Sequence, residues 1–540
     1  MNAANTPFSY FSSRLGRDAR RSDPPVVVWV PAVLVTALLL LPIAYLILRA
    51  AGTSAEVLEA LLRPRTLQIL YRTAALIAAV GGCSVLLAVP IAWLTVRTDL
   101  PLRRVITVLA ALPLVVPSYV GAHLFLSALG PRGALQQMLE LPFGIERLPS
   151  IYGFPGAALS LTMMSYPYVY LAVRGTLWRL DPSMEEAAHI LGKSAAKTAL
   201  LVTLPMLRPA IGAGFLLVAL YVLSDFGAVA MFRYETFTWA IYLQYQAVFD
   251  RTGAAALSLV LVVFALLLLW TEMASRGSVR YARIGPGVSR VSRVVLLGNW
   301  RWPALLFCAV VLALALALPF GVLAYWIVLG APALGGLGGL WKLIANSMYV
   351  SLIAAVATVV ASLPIGLLAV RFGGRLSRWI EQAAYVSFAL PGLVIALALV
   401  FFGAQYAPII YQTLPLLILA YMIHFLPAAL GPVRASMLNV SPTVEEAAKS
   451  LGRGPFGVLL DVTLPLIRPG LLSGASMVFL LTMKELPVTL LLAPLEFKTL
   501  ATSVWTFSTS GHFAETAVPA LALLTVSSIP MAFLLLSESE

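Results

Sequence analysis

Apolar runs of about 20 residues recur along the whole of this 540-residue chain, and a helix of about that length crosses a hydrocarbon core of about 30 Å. Twelve such runs can be read, at residues 26–48, 70–96, 105–129, 152–173, 209–232, 253–271, 302–328, 345–370, 380–402, 408–431, 469–492 and 514–536. A backbone immersed in lipid must satisfy its own N–H and C=O groups, so runs of this length predict helices. Hydrophobic residues make up 60% of the chain and charged residues 11%, and mean hydropathy is +0.93. That balance excludes an ordinary soluble globular domain. The expected fold class is an all-α polytopic membrane protein with about twelve transmembrane helices.

A second feature organises those runs. Residues 181–214 and 441–474 carry the same polar cassette, displaced by 260 positions without a gap. The first copy begins Asp181-Pro182-Ser183-Met184-Glu185-Glu186-Ala187-Ala188. It continues through Leu191-Gly192 to Thr203-Leu204-Pro205 and Arg208-Pro209. The second begins Ser441-Pro442-Thr443-Val444-Glu445-Glu446-Ala447-Ala448, and continues through Leu451-Gly452 to Thr463-Leu464-Pro465 and Arg468-Pro469. The repeat reaches further: Pro90 and Arg97 match Pro364 and Arg371, and Pro117 matches Pro391. The chain thus divides into an N-terminal tail (1–25), a first repeat (26–273), an Arg-, Gly- and Ser-rich linker (274–301) and a second repeat (302–540). Six spans per repeat is an even number, so the two repeats are parallel, related by a pseudo-two-fold axis along the membrane normal.

Each cassette reads as a short capped helix on the surface. Asp181 or Ser441 is a good N-cap, and a proline follows at the first helical position. The paired glutamates complement the positive helix end, and Gly192 or Gly452 supplies the stop. In the second copy Glu445 precedes Lys449 by four residues, a favourable helix pair. Two near-identical polar islands in an apolar chain imply a pseudo-symmetric partner with two sockets.

The net charge of +13 is not a nucleic-acid footprint, because the arginines and lysines gather in alternate loops. One side carries Arg14, Arg17, Arg20 and Arg21, then Arg97, Arg103 and Arg104, both cassettes and the linker. The intervening loops are nearly charge-balanced. The positive-inside rule places both termini and both cassettes in the cytoplasm. Cys83 and Cys308 both lie in expected spans and make no metal framework.

Glu-Glu-Ala-Ala-x-x-Leu-Gly, followed by Leu-Pro and Arg-Pro, resembles the EAA motif of ABC importer permeases. The resemblance covers essentially the whole chain and implies two type I permeases fused head to tail. It implies that the motif forms a coupling helix docking into a groove of an ATP-binding subunit. The family's characteristic glutamate and glycine map onto Glu186 and Gly192, and onto Glu446 and Gly452. Glu185, Ala187, Glu445 and Ala447 stand beside them as further ATPase-coupling positions. Gly192-Lys193-Ser194 imitates the end of a Walker A loop, but Ala187 stands where that pattern needs glycine. ATP hydrolysis is therefore expected in a separate subunit, and this chain is expected to be a non-catalytic membrane subunit without a cofactor.

The span after each cassette carries charge. Asp225 in Ser224-Asp225-Phe226-Gly227 aligns with Glu485 in Lys484-Glu485-Leu486-Pro487 at the same offset of 260. An ionisable residue inside a span is costly and marks a pathway or a pair. Asp225, Glu485 and Lys484 are the translocation-pathway candidates, the two carboxylates being expected to face one another across the axis. These segments, with Thr236-Phe237-Thr238, Lys498-Thr499-Leu500-Ala501-Thr502, Pro117-Ser118-Tyr119-Val120 and Tyr166–Tyr170, resemble the fused permeases of bacterial ferric-iron importers. Hard oxygen ligands suit ferric ion, but His123, His189, His424 and His512 are scattered and no metal site is assigned. His189 lies in the first cassette helix, where it reads as a partner contact.

The expected partners are two copies of a cytoplasmic ABC ATPase subunit, a periplasmic or extracellular binding protein and membrane lipid, with no nucleic acid. The expected location is the bacterial cytoplasmic (inner) membrane, multi-pass. Permeases for thiamine, polyamines, sulfate or molybdate share the cassette and stay open as alternatives. A twelve-helix secondary transporter would put its repeated polar motif in the second-to-third span loop, where residues 97–104 and 371–379 carry only scattered arginines. A passive channel would need a lined filter, and none is visible.

Overall fold

The computed structural model describes residues 25–51, 63–180, 183–246, 251–275, 294–330, 337–387 and 390–537. The N-terminal tail, most of the linker between repeats and the expected cap at Asp181-Pro182 lie outside the described residues. Among the described residues each of the twelve apolar runs lies mostly on helix, with 105–129, 209–232, 380–402 and 469–492 broken within and 408–413 outside any helix. Among the described residues, seven helices are long and apolar enough to cross a membrane by length and composition alone. Two bent pairs raise that number to nine. The helix Phe154–Arg179 is as long as the seven but carries Ser160, Thr162, Ser165, Tyr166, Tyr168 and Tyr170.

Two sharp bends stand out, one inside the expected span 105–129 and one just before the expected span 469–492. Arg103–Val115 meets Ser118–Glu140 at 101°, with Pro117 at the corner. Pro455–Leu466 meets Arg468–Met483 at 72°, about Ile467. Other prolines leave their helices unbroken: Pro64–Arg97 runs through Pro90, and Leu337–Arg371 through Pro364. Threonine hydroxyls inside the apolar helices donate to the carbonyl one turn back, as Thr73 does to Ile69, Thr95 to Ile91 and Thr358 to Ala354. That local bond lets a polar side chain sit in an apolar span.

Small residues bring helices close, as they do where lipid tails remove the hydrophobic drive for association. A Cβ on Gly214 would lie 2.7 Å from the Cα of Val169, so Leu204–Ser224 and Phe154–Arg179 touch backbone to backbone. In the second repeat a Cβ on Gly474 would lie 3.1 Å from the carbonyl oxygen of Ala429, joining Arg468–Met483 to Leu414–Asn439. The positions correspond at the offset of 260.

The chain forms two compact units that cut across covalent order. One contains residues 1–45, 345–498 and 527–540; the other contains 46–344 and 499–526. The start of the first helix, Val26–Ala51, thus belongs with most of the second repeat. Tyr45 packs edge-on against Phe402 and Tyr406 there, with its hydroxyl 3.5 Å from Gln405 Oε1. In the other unit the helices that open the second repeat, Arg301–Leu312 and Leu318–Gly330, stand with the first repeat, where Tyr325 donates to Gln137 Oε1 at 2.6 Å.

Candidate functional site

Both cassettes fold into the expected short helix, Ser183–Ile190 in the first copy and Pro442–Ser450 in the second. Ser441 caps its helix by accepting from the Thr443 N–H at 3.4 Å. The stop is the same in both. Gly192 and Gly452 adopt φ of 76° and 87°, a left-handed conformation open to glycine at no steric cost. The next residue folds back: the Lys193 N–H bonds the Ala188 carbonyl, and the Arg453 N–H the Ala448 carbonyl, both at 3.1 Å. This six-to-one bond is the signature of a glycine-terminated helix end. Each cassette then continues through a π-helical turn, Ala199–Thr203 or Leu459–Thr463, again at the offset of 260. Such turns are rare and occur mostly as single bulges, so their duplication is a built feature.

The two glutamates of each cassette part company. Glu186 and Glu446 are exposed, as are Ala187, Ala447, Gly192 and Gly452. Ile190, Leu191 and Leu451 are exposed beside them, Leu191 at 78% and Leu451 at 86%. The side chain of His189 lies outside the described residues. Glu185 and Glu445 turn the other way, into a triad that the sequence reading missed. In the second copy the Arg371 guanidinium, from the end of helix Leu337–Arg371, donates through Nη2 to Glu445 Oε1 at 2.9 Å. Its Nε donates to Glu445 Oε2 at 3.1 Å. The same guanidinium bonds the Val440 carbonyl at 3.0 Å, and Thr463, closing the π turn, donates to Glu445 at 3.2 Å. Glu445 is thereby committed to Arg371 and Thr463, which replaces the expected helix pair with Lys449. A part-buried guanidinium fork outcompetes an exposed pair because its geometry is bidentate and solvent screens it less.

The first copy holds the same three residues more loosely. Thr203 donates to Glu185 Oε1 at 2.8 Å. Arg97 Nε stands 3.6 Å from Glu185 Oε2, beyond hydrogen-bond range. Arg97 is 4% exposed, and its Nε and Nη2 have no hydrogen-bond partner. Beside it, residues from the end of the linker dock on the loop: the Val295 N–H bonds the Arg97 carbonyl at 2.8 Å, and Asp99 accepts from the Leu297 N–H at 2.8 Å. The repeated positions Arg97/Arg371 and Thr203/Thr463 were the available signal for this triad, but neither lies next to the glutamates in sequence.

The pathway candidates occupy equivalent places in the two repeats, Asp225 in one compact unit and Glu485 in the other. Each carboxylate turns onto the backbone of the short helix that follows it. Asp225 Oδ1 accepts from the Ala228 and Val229 N–H groups at 3.0 and 3.2 Å. Glu485 Oε2 accepts from Val488 and Thr489 at 2.9 and 3.3 Å. The charge is thus spent on helix N-terminal donors that lipid could not satisfy. The surroundings compensate for the difference in length between Asp and Glu. Ser118 donates its hydroxyl to Asp225. At the matching position stands Gly392, where a Cβ would lie 2.7 Å from Glu485 Oε1 and 3.3 Å from His424 Nε2. Lys484 is half-buried at the C-cap of Arg468–Met483. Among the described residues no three or more of His, Cys, Asp and Glu gather as a metal would require. Cys83 and Cys308 are free thiols, the second buried.

Residues 82–273 and 362–539 each match the family described as binding-protein-dependent transport system inner membrane component. Over 513 residues, 94% of this chain and 97% of the relative, the chain is 35% identical to the Fe(3+)-transport system permease protein FbpB 2 of Haemophilus influenzae. It is 24% identical to the ferric transport system permease protein FbpB of Actinobacillus pleuropneumoniae over 384 residues, 68% of this chain and 56% of that protein. The molybdenum transport system permease protein ModB of Escherichia coli is 31% identical over 208 residues, 36% of this chain but 90% of ModB. One such relative is therefore matched by well under half of this chain. The chain belongs to the family of binding-protein-dependent transport system inner membrane components, as a multi-pass membrane protein in which the family's unit occurs twice.

Proposed function

We propose that this protein is the membrane-spanning permease of a ferric-iron importer, fed by a binding protein outside the cell and driven by two ATPase subunits inside. The single observation that carries this reading is the pair of matching cassettes. Each presents an exposed glutamate, a glycine-ended helix and exposed apolar side chains on a polar segment. An uncovered apolar patch rimmed by polar groups marks a protein contact, and the duplication calls for a partner with two equal sockets. The ferric cargo rests on the 35% identity to a ferric permease over nearly the whole chain.

In this reading both cassettes and both termini face the cytoplasm, as the distribution of arginine and lysine requires. The ATPases dock at Glu186, Ala187 and Gly192 and at Glu446, Ala447 and Gly452, and their closure on ATP moves the helices Ser183–Ile190 and Pro442–Ser450. The spans follow, and the cargo site opens to one side at a time. Asp225, Glu485 and Lys484 line or border the route, where carboxylate oxygens suit a hard trivalent cation. ATP chemistry stays with the partner.

The relation to ModB keeps a second reading, an oxyanion permease. Uptake into vesicles holding the whole transporter, with ferric ion, molybdate, sulfate, thiamine and a polyamine offered in turn, decides between them. Ferric accumulation that depends on ATP and on the binding protein is the expected result; accumulation of another cargo alone replaces iron. Glu186→Ala combined with Glu446→Ala should abolish uptake at unchanged membrane insertion, and normal uptake by that variant would sink the docking role.

A further inference from the structure

Force applied to either cassette helix has two routes into the membrane. One is covalent, through the π turn into the following span. The other is the triad, which ties the helix to a span that it does not adjoin in sequence: Pro64–Arg97 in the first copy and Leu337–Arg371 in the second. We propose that Arg97 and Arg371 are positioning residues that transmit cassette motion to those spans, and that the two copies display this latch open and closed.

The geometry separates the two states. In the second copy the latch is shut. Arg371 grips both oxygens of Glu445, and the helix beyond is interrupted at Ile467, whose φ is −91° and ψ 4°. In the first copy it is ajar. Glu185 is held by Thr203 and stands 3.6 Å from Arg97, and the helix Leu204–Ser224 runs uninterrupted through Leu207. Arg97 keeps two buried nitrogens, Nε and Nη2, without a hydrogen-bond partner. Buried donors without acceptors are costly, so a second arrangement that supplies them lies close by. The second copy shows that arrangement: Arg371 Nε lies 3.1 Å from Glu445 Oε2, where Arg97 Nε stands 3.6 Å from Glu185 Oε2. Thr203 and Thr463 hold the carboxylate in both states, so it is never left bare.

This inference rests on the ATPase docking reading, and one experiment separates the two. The whole transporter, with its ATPase and binding protein, is reconstituted with Arg97→Lys, Arg371→Lys or Glu445→Gln. Lysine keeps the charge that the buried carboxylate needs but not the two-pronged grip. Three quantities are read: ATPase retained on purification, ATP hydrolysed, and ferric ion moved per ATP. For each lysine variant, retention and hydrolysis should stay near wild type while ferric ion moved per ATP falls about tenfold, the scale of one charge-assisted hydrogen bond lost from one of two states. Glu445→Gln should uncouple in the same sense. An unchanged ratio of cargo to ATP overturns the latch. So does a parallel fall of all three quantities, which would mark a purely structural bond. Failure of the wild-type protein to retain ATPase overturns the docking reading itself, and the latch with it.

Discussion

Single atoms decide the surroundings of Glu485. Its side chain is one methylene longer than that of Asp225, and the chain makes room by placing Gly392 where the first repeat has Ser118. A methyl group at Gly392 would stand 2.7 Å from Glu485 Oε1, closer than any packed carbon tolerates. Gly392→Ala should therefore destabilise the protein by about 1–3 kcal/mol, the usual cost of overpacking. Shortening the carboxylate should relieve it. Gly392→Ser together with Glu485→Asp reproduces the pair found in the first repeat and should recover most of the loss. Melting of the three proteins in detergent checks this, and a double variant no more stable than Gly392→Ala would show that the two positions do not compensate. The glutamates teach a related lesson. Glu185 and Glu186 are neighbours in sequence, yet one is an internal anchor and the other is exposed.

Among the helices, glycine sets how near two axes can come. Leu204–Ser224 meets Phe154–Arg179 at Gly214 with backbone contact, and Arg468–Met483 meets Leu414–Asn439 at Gly474 with slightly more space. The added methyl would sit 2.7 Å from a main-chain carbon in the first case and 3.1 Å from a carbonyl oxygen in the second. Main chain cannot swing aside as a side chain can. Gly214→Ala should cost more than Gly474→Ala, by about 1 kcal/mol or more. Equal melting shifts for the two variants would show that the closer approach relaxes freely. The π turns belong to this level too. They offset each cassette helix from the span that follows, and they place Thr203 and Thr463 against the glutamates one turn inside the cassette.

For the molecule as a whole, the compact units and the sequence repeats are different partitions. The unit that contains most of the second repeat includes residues 26–45, whose Tyr45 packs edge-on against Phe402 and Tyr406. Residues 302–540 produced alone should therefore insert but fold poorly, because an aromatic face evolved for another helix is left to lipid. Co-production of residues 1–301 should restore a protease-resistant product. Full protease resistance of the isolated half would show that the exchanged helix contributes little. The same arrangement gives the duplicated chain a reason to stay fused, since each unit draws helices from both ends.

Much of this protein was written in its local chemistry. Long apolar runs specify helices wherever lipid denies the backbone other partners, and among the described residues all twelve lie mostly on helix. The cassette helices and their glycine stops follow from caps and φ preferences that act within a few residues. The duplication and the family motif are visible by eye, and the matches to known permeases bear out the family. Other features needed the folded chain. Arg97 and Glu185 are far apart in sequence, and nothing local distinguishes a basic residue that ends a span in solvent from one buried against a carboxylate. The helix exchanged between units, the bends at Pro117 and Ile467, and the fit of Gly392 to Glu485 are likewise settled by which surfaces pack together. Hydrophobicity and capping act between neighbours along the chain, whereas ion pairs and close contacts exist only where the fold brings distant segments within a few ångströms.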